Sequence, residues 1–208
     1  MYYHLILIVF FVLGMFYTDR YYAVHDHNCK YEYINEIFTI KISMRRTVMK
    51  QQKVAFIGLG VMGYPMSGYL SKMGYETKVY NRTRTTADRW VGEYTGIVCE
   101  TPREAAIDCD VVFICVGNDE DVRSVAYGSD GILSGMKSGA VLVDHTTTSA
   151  ELAIELAKVA KSQDVNFIDA PVSGGQAGAE NGVLTVMCGG EQAVFDRIAP
   201  YMAVYAKQ

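Results

Sequence analysis

Apolar and polar positions along the chain follow two regimes that meet near residue 50. From 53 onward, short β-branched runs alternate with stretches of about ten to fifteen residues at helical spacing, the signature of repeated β-α-β units. The pattern predicts strands over 53–57, 77–80, 97–99, 111–116, 140–144 and 166–169. The run Val111-Val112-Phe113-Ile114-Cys115-Val116 has no polar alternation, so helices should cover both of its faces, as in a parallel sheet. Helix starts are marked as well. Thr101-Pro102-Arg103-Glu104 offers an N-cap, a proline at the first helical position and a carboxylate at the third, and Thr148 with Glu151 repeats the capping box. In that second helix Leu152, Leu156, Val159 and Ala160 share one face, predicted to lie on the sheet.

The first regime, 1–49, reads as an extension to a domain spanning 50–208. Its apolar and aromatic run, 2–17, is broken only by His4 and Gly14. The run is shorter than the roughly 20 residues a spanning helix needs, and no Lys or Arg precedes it as a secretory signal requires. Asp19, Asp26, Glu32 and Glu36 count against a mitochondrial presequence. Three readings stand: translation beginning at Met44 or Met49, a membrane anchor formed by 2–17, or a native soluble extension.

Half of the 208 residues are apolar, enough for a substantial core, and the net charge of -4 supplies no basic face for nucleic acid. Cys29, Cys99, Cys109, Cys115 and Cys188 are odd in number and mostly set in apolar runs, which suits reduced, buried thiols in a cytoplasmic protein; membrane association through 2–17 is the alternative location. His25 and His27 lie near Cys29 without a standard ligand spacing, so no metal site is predicted.

Candidate chemistry begins where the first strand runs into Gly58-Leu59-Gly60-Val61-Met62-Gly63, followed by a helix with Met62, Met66, Leu70 and Met73 along one side. This is GxGxxG in its required strand-turn-helix context. The first glycine permits the tight turn, the second lets a diphosphate approach the backbone, and the third lets helix and strand pack closely. Free amides and the positive end of the helix dipole then face the anion. The predicted fold is therefore α/β, a Rossmann-like doubly wound and mostly parallel sheet. At the end of the second strand stands Asn81-Arg82-Thr83, where an enzyme preferring NAD usually places Asp or Glu on the adenosine ribose. With no carboxylate there, and a guanidinium and a hydroxyl able to bind a 2′-phosphate, NADP(H) is favoured over NAD(H).

Three stretches resemble the β-hydroxyacid dehydrogenase family, which includes 3-hydroxyisobutyrate dehydrogenase, tartronate semialdehyde reductase and the NADP-binding part of 6-phosphogluconate dehydrogenase. They are the segment from Phe56 to Met66, Asp144-His145-Thr146-Thr147-Thr148-Ser149, and Asp169-Ala170-Pro171-Val172-Ser173-Gly174-Gly175 with its glycine-rich continuation. The resemblance implies that Val116, Gly117 and Asn118 border the cofactor ribose, although the family often has proline where Gly117 stands. It implies that Thr147 contacts the nicotinamide end, with Thr146 shaping the loop, and that Ser173, Gly174 and Gly175 bind a substrate carboxylate. Asp144 and Asp169 read as structural strand ends, because a carboxylate that stays ionised cannot donate a proton.

The implied chemistry is hydride transfer between a nicotinamide and a small 3-hydroxyacid or its semialdehyde. In the family a lysine on a later helix handles the hydroxyl proton, and an all-helical domain closes the site. Neither is in these residues, and Lys207 does not match that lysine, so the expectation is a largely inactive fragment with no catalytic residue of its own. The intact form is expected to be a homo-oligomer. Rival readings are a non-catalytic dinucleotide-binding or interaction module and a membrane-anchored reductase.

Overall fold

The computed structural model describes residues 52–207. The run 2–17, Met44, Met49, His25, His27 and Cys29 lie outside the described residues. Six strands run parallel: β1 (Lys53–Ile57), β2 (Glu76–Tyr80), β3 (Ile97–Val98), β4 (Val111–Ile114), β5 (Val141–Asp144) and β6 (Asn166–Asp169). Three two-residue strands follow: β7 (Val172–Ser173), β8 (Thr185–Val186) and β9 (Gly189–Gly190). The main sheet has the order β3-β2-β1-β4-β5-β6-β9, with β9 antiparallel to β6, while β7 and β8 form a separate antiparallel pair. This is the doubly wound Rossmann arrangement, and its strand order reverses between β1 and β4.

The connecting helices are α1 (Gly63–Met73), α2 (Arg84–Glu93), α3 (Pro102–Ala106), α4 (Asp119–Ala126), α5 (Ile132–Gly135), α6 (Ala150–Ser162), α7 (Gly175–Glu180) and α8 (Gln192–Met202). Strand side chains alternate between two apolar layers, as a two-fold repeat requires. Val54, Phe56, Val111, Phe113, Val141 and Val143 face one layer, with Met66 and Leu70 of α1, Trp90 of α2 and Ile198 of α8. Ala55, Ile57, Val112, Ile114 and Leu142 face the other, with Val122 of α4 and Leu152, Leu156 and Ala160 of α6. The unbroken apolar run of β4 is thus buried from both sides, as predicted.

Several local expectations need correction. Strand β4 ends at Ile114: the Cys115 N–H makes a last bond to the Ile57 carbonyl at 2.9 Å, and the Val116 N–H turns to the Thr146 hydroxyl. Met73 is 40% exposed, and the buried side of α1 is instead built from Gly63, Met66, Ser67, Gly68 and Leu70. Gly63 lets the start of the helix sit close to β1, and Gly68 makes room for the Tyr94 ring. Helix α6 is capped by Ser149, whose Oγ accepts from the Leu152 N–H at 3.2 Å, and not by Thr148. The Thr101 cap of α3 is as expected: its Oγ1 accepts from the Glu104 N–H at 3.1 Å. Cys99 and Cys109 are buried, Cys115 is half-buried and Cys188 is exposed, so Cys188 departs from the expectation of burial.

Among the described residues no helix is long and apolar enough to cross a membrane, and no group of three or more His, Cys, Asp or Glu is placed to hold a metal ion.

Candidate functional site

The turn after β1 is held by its neighbours. Gly58 sits at φ +97°, and its N–H donates to the Tyr80 carbonyl at 2.9 Å. A Cβ on Gly58 would lie 2.2 Å from the Cys115 carbonyl oxygen, and one on Gly63 would lie 2.0 Å from the Gly58 carbonyl oxygen and 2.9 Å from Phe56 Cε1. A Cβ on Gly60 would meet no atom of the described residues within 4 Å beyond its chain neighbours. The first and third glycines are therefore demanded by the fold, whereas the second faces open space. Helix α1 starts beside that space with no side-chain cap and no acid in its first turn. The N–H groups of Gly60, Val61 and Met62 donate to no other described residue, which leaves a cluster of donors at the positive end of an 11-residue helix.

A cleft of about 710 Å³ opens from this turn, between the carboxyl ends of β1, β2 and β4. Asn81 ties its two rims together: Oδ1 accepts from the Leu59 N–H at 2.9 Å, and Nδ2 donates to the Thr83 carbonyl at 3.1 Å. Arg82 lies at the mouth with its guanidinium on Asp121 of α4 (Nη1 to Oδ1, 2.8 Å). Thr83 is the N-terminal cap position of α2 but makes no side-chain cap bond, so its hydroxyl stays available. On the far wall, Asn118 caps α4 by accepting from the Asp121 N–H at 3.0 Å, and Thr146 Oγ1 accepts from the Val116 N–H at 3.1 Å.

Beyond the ends of β5 and β6 lies the region expected to meet nicotinamide and substrate. Thr147 is exposed, directly after the buried Asp144-His145-Thr146. Burial pushes the Asp144 carboxyl up to about 6; its Oδ1 accepts from the Thr146 N–H at 2.9 Å, while the buried Oδ2 has no partner among the described residues. Burial also raises Asp169. His145 is fully enclosed between the Phe113 ring and Tyr205, and burial pushes it down to about 4. Its Nδ1 lies 2.6 Å from the Ala170 carbonyl and its Nε2 lies 2.9 Å from the Tyr205 hydroxyl. The neutral ring satisfies both contacts when Nδ1 donates and Nε2 accepts. Ser173, the last residue of β7, and the left-handed Gly174 (φ +133°) and Gly175 (φ +60°), which lead into α7, are exposed. Cβ atoms on Gly174 and Gly178 would each lie 3.1 Å from Leu184 Cδ2, and at Gly174 the left-handed backbone also favours glycine.

The family model described as the NAD binding domain of 6-phosphogluconate dehydrogenase matches residues 53–208. The chain belongs to this family. An uncharacterized oxidoreductase of Shewanella frigidimarina (strain NCIMB 400) is 56% identical over 155 residues, covering 74% of this chain and 53% of that protein. A probable 3-hydroxyisobutyrate dehydrogenase-like 1, mitochondrial protein of Arabidopsis thaliana is 42% identical over 74% of this chain and 46% of its own length. Among solved structures, the Mycobacterium tuberculosis 3-hydroxyisobutyrate dehydrogenase with L-serine superposes with a TM-score of 0.70 at 31% identity, covering 74% of this chain and 52% of that one. The chain therefore spans about half the length of the relatives it matches.

Within this NAD-binding family domain, ten of the sequence-predicted cofactor residues line one cleft: Gly58, Gly60, Val61, Met62, Gly63, Asn81, Arg82, Thr83, Val116 and Gly117. Leu59, Asn118 and Thr147 do not line it. Leu59 is turned into the core with its N–H already bonded to Asn81, and Asn118 is occupied as a cap. Thr146 joins its loop to the end of β4 through the Val116 N–H. Lys207 pairs its N–H with the Leu184 carbonyl at 2.8 Å and stays outside the cleft. The sequence reading missed Asp121 and Tyr127, which α4 and its following turn bring to the wall. Asp121 is the third acid of Asp119-Glu120-Asp121, a run that reads as ordinary dipole compensation in a first helical turn.

Proposed function

We propose that this domain serves an NADP(H)-dependent oxidoreductase of the β-hydroxyacid dehydrogenase type, which moves a hydride between nicotinamide and a small 3-hydroxyacid or its semialdehyde. One observation carries the reading. At the point where strand order reverses, uncommitted amides at the start of α1 face an open space that a Cβ on Gly60 would begin to fill. A dinucleotide diphosphate fits those donors, and the bound nicotinamide C4 supplies or accepts the hydride.

The chain's own residues bind and orient. The amides of Gly60, Val61 and Met62 take the diphosphate, and the β2 end offers Arg82 and Thr83, with no carboxylate on that loop to repel a 2′-phosphate. Val116 and Gly117 form the opposite wall. Thr147 stands at the nicotinamide end, and Ser173 with the amides about Gly174 and Gly175 takes the substrate carboxylate. The solved relative holding L-serine, itself a 3-hydroxyacid, supports that substrate class.

None of the residues assigned to cofactor or substrate is a Lys or His, so the purified chain is proposed to bind cofactor and to turn substrate over slowly, because a positioned general acid contributes about 10² to 10⁴ in rate. The uncommitted α1 amides fit equally a second reading, a dinucleotide-binding module without catalysis. Titrating the purified chain with NADPH and following nicotinamide fluorescence tests the main proposal: saturable binding is expected, and none by folded protein refutes it. Reduction of semialdehydes by any longer native form separates enzyme from module.

A further inference from the structure

The carboxylate of Asp121 is set directly against the guanidinium expected to read the 2′-phosphate. The three acids opening α4 have different partners. Asp119 accepts from the Ser149 N–H at 3.0 Å and from its hydroxyl, and Glu120 pairs with Arg123 at 3.1 Å. Asp121 alone turns into the cleft, where Oδ1 holds Arg82 Nη1 at 2.8 Å. The two partners differ in freedom: the Arg82 side chain is 82% exposed and that of Asp121 is 26% exposed. Helix α4 anchors Asp121 through the Asn118 cap and through its carbonyl, which accepts from Ser124 Oγ at 2.7 Å. The acid is the fixed member and the guanidinium the one that can swing.

A second observation points to the same place. Gly117 is exposed and does not have the left-handed backbone that would call for glycine. Among the described residues beyond its chain neighbours, a Cβ there would reach within 4 Å only the Asp121 carboxylate, Oδ2 at 2.6 Å and Cγ at 3.8 Å. The missing side chain at 117 is what makes room for the carboxylate at the ribose wall.

We propose that Asp121 sets the cofactor selectivity of this site. Its carboxylate competes with the 2′-phosphate for Arg82, repels that phosphate, and offers an acceptor to the 2′-hydroxyl of an unphosphorylated ribose. The preference for NADPH over NADH is then narrower than the Asn81-Arg82-Thr83 loop alone would produce. This rests on the dinucleotide reading above and names a determinant on the wall facing that loop.

The experiment titrates the full chain, as wild type, D121N, G117A, R82A and R82A/D121N, with NADPH and with NADH, after thermal melts establish that each is folded. Freeing an exposed ion pair and removing one like charge should tighten NADPH binding by D121N by about threefold to tenfold, with NADH no tighter. G117A, whose new methyl displaces the carboxylate, should shift NADPH in the same direction by less. In the R82A background, D121N should lose most of its effect. Unchanged or weaker NADPH binding by D121N, or equal tightening of both cofactors, overturns the proposal while wild-type binding leaves the dinucleotide reading standing. A folded wild type that binds neither cofactor overturns both.

Discussion

Substituting alanine for Gly60 and for Gly63, two positions of one glycine motif, should give opposite outcomes. The Gly63→Ala methyl would lie 2.0 Å from a backbone oxygen and 2.9 Å from the Phe56 ring, neither of which can rotate away cheaply. Helix α1 must then retreat from β1 by about an ångström or more, and overpacking of this kind costs about 1–3 kcal/mol. In a domain of this size that lowers the melting temperature by roughly 2–4 °C for each kcal/mol. Gly58→Ala should be worse, because its φ of +97° adds backbone strain to a 2.2 Å clash. The Gly60→Ala methyl meets no atom of the described residues within 4 Å beyond its chain neighbours. Its stability should stay within about 0.5 kcal/mol of wild type, or rise slightly as the unfolded chain loses freedom. The methyl instead occupies the approach to the α1 amides. Losing even one charge-assisted hydrogen bond to a diphosphate, worth about 1.5–3 kcal/mol, weakens dinucleotide binding by about tenfold or more. Urea unfolding and NADPH titration on the three variants form the assay. Gly60→Ala binding cofactor as wild type, or losing as much stability as Gly63→Ala, would refute the assignment of the open space to the diphosphate.

Other predictions concern the buried polar groups and a cap. His145 at about 4 binds fewer protons folded than unfolded, so it makes stability rise with pH between about 4 and 6.5; Asp144 at about 6 binds more protons folded, so it makes stability fall with pH between about 3.8 and 6. The two nearly cancel in wild type. Asp144→Asn should expose the histidine contribution, with stability climbing by about 2–3 kcal/mol from pH 4.5 to 7 in urea melts, and a flat profile for this variant would contradict the burial argument. Tyr205→Phe removes the hydroxyl 2.9 Å from His145 Nε2 and leaves that buried acceptor unpaired, costing about 1–3 kcal/mol by calorimetry. Ser149→Ala removes the α6 cap, with an expected loss of about 1 kcal/mol in urea unfolding. The Ser149 hydrogen bonds also hold the Asp119 carboxyl below the usual range, so an NMR titration of the variant should find it moved upward.

The fold was legible because each parallel strand is a β-branched run, so the hydrophobic pattern located β1, β2, β4, β5 and β6 within two residues at either end. The antiparallel additions were not legible. Strands β7, β8 and β9 are two residues long, and Gly189-Gly190 carries no side chains to show a period. The buried side of α1 was misplaced at Met73 because hydrophobicity cannot reveal that Gly63, Ser67 and Gly68 do the close packing. Ser149 and Thr148 are equally good caps on paper, and the choice depends on Asp119, 30 positions earlier. In the candidate site, the glycine turn and the Asn81-Arg82-Thr83 loop are contiguous motifs and could be read directly. The opposing wall could not, since Asp121 acquires its meaning only when α4 folds across from β2.

The double tether of Asn81 carries a consequence for protein engineering. On the proposed NADP(H) reading, conversion to NADH use would ordinarily begin by installing an acid at the β2 end, which is position 81 here. An aspartate could still accept from the Leu59 amide, but it would set a negative charge against the Thr83 carbonyl where Nδ2 now donates. That route would loosen the glycine turn and the ribose loop together, so redesign of this scaffold should leave the tether intact and begin on the opposite wall.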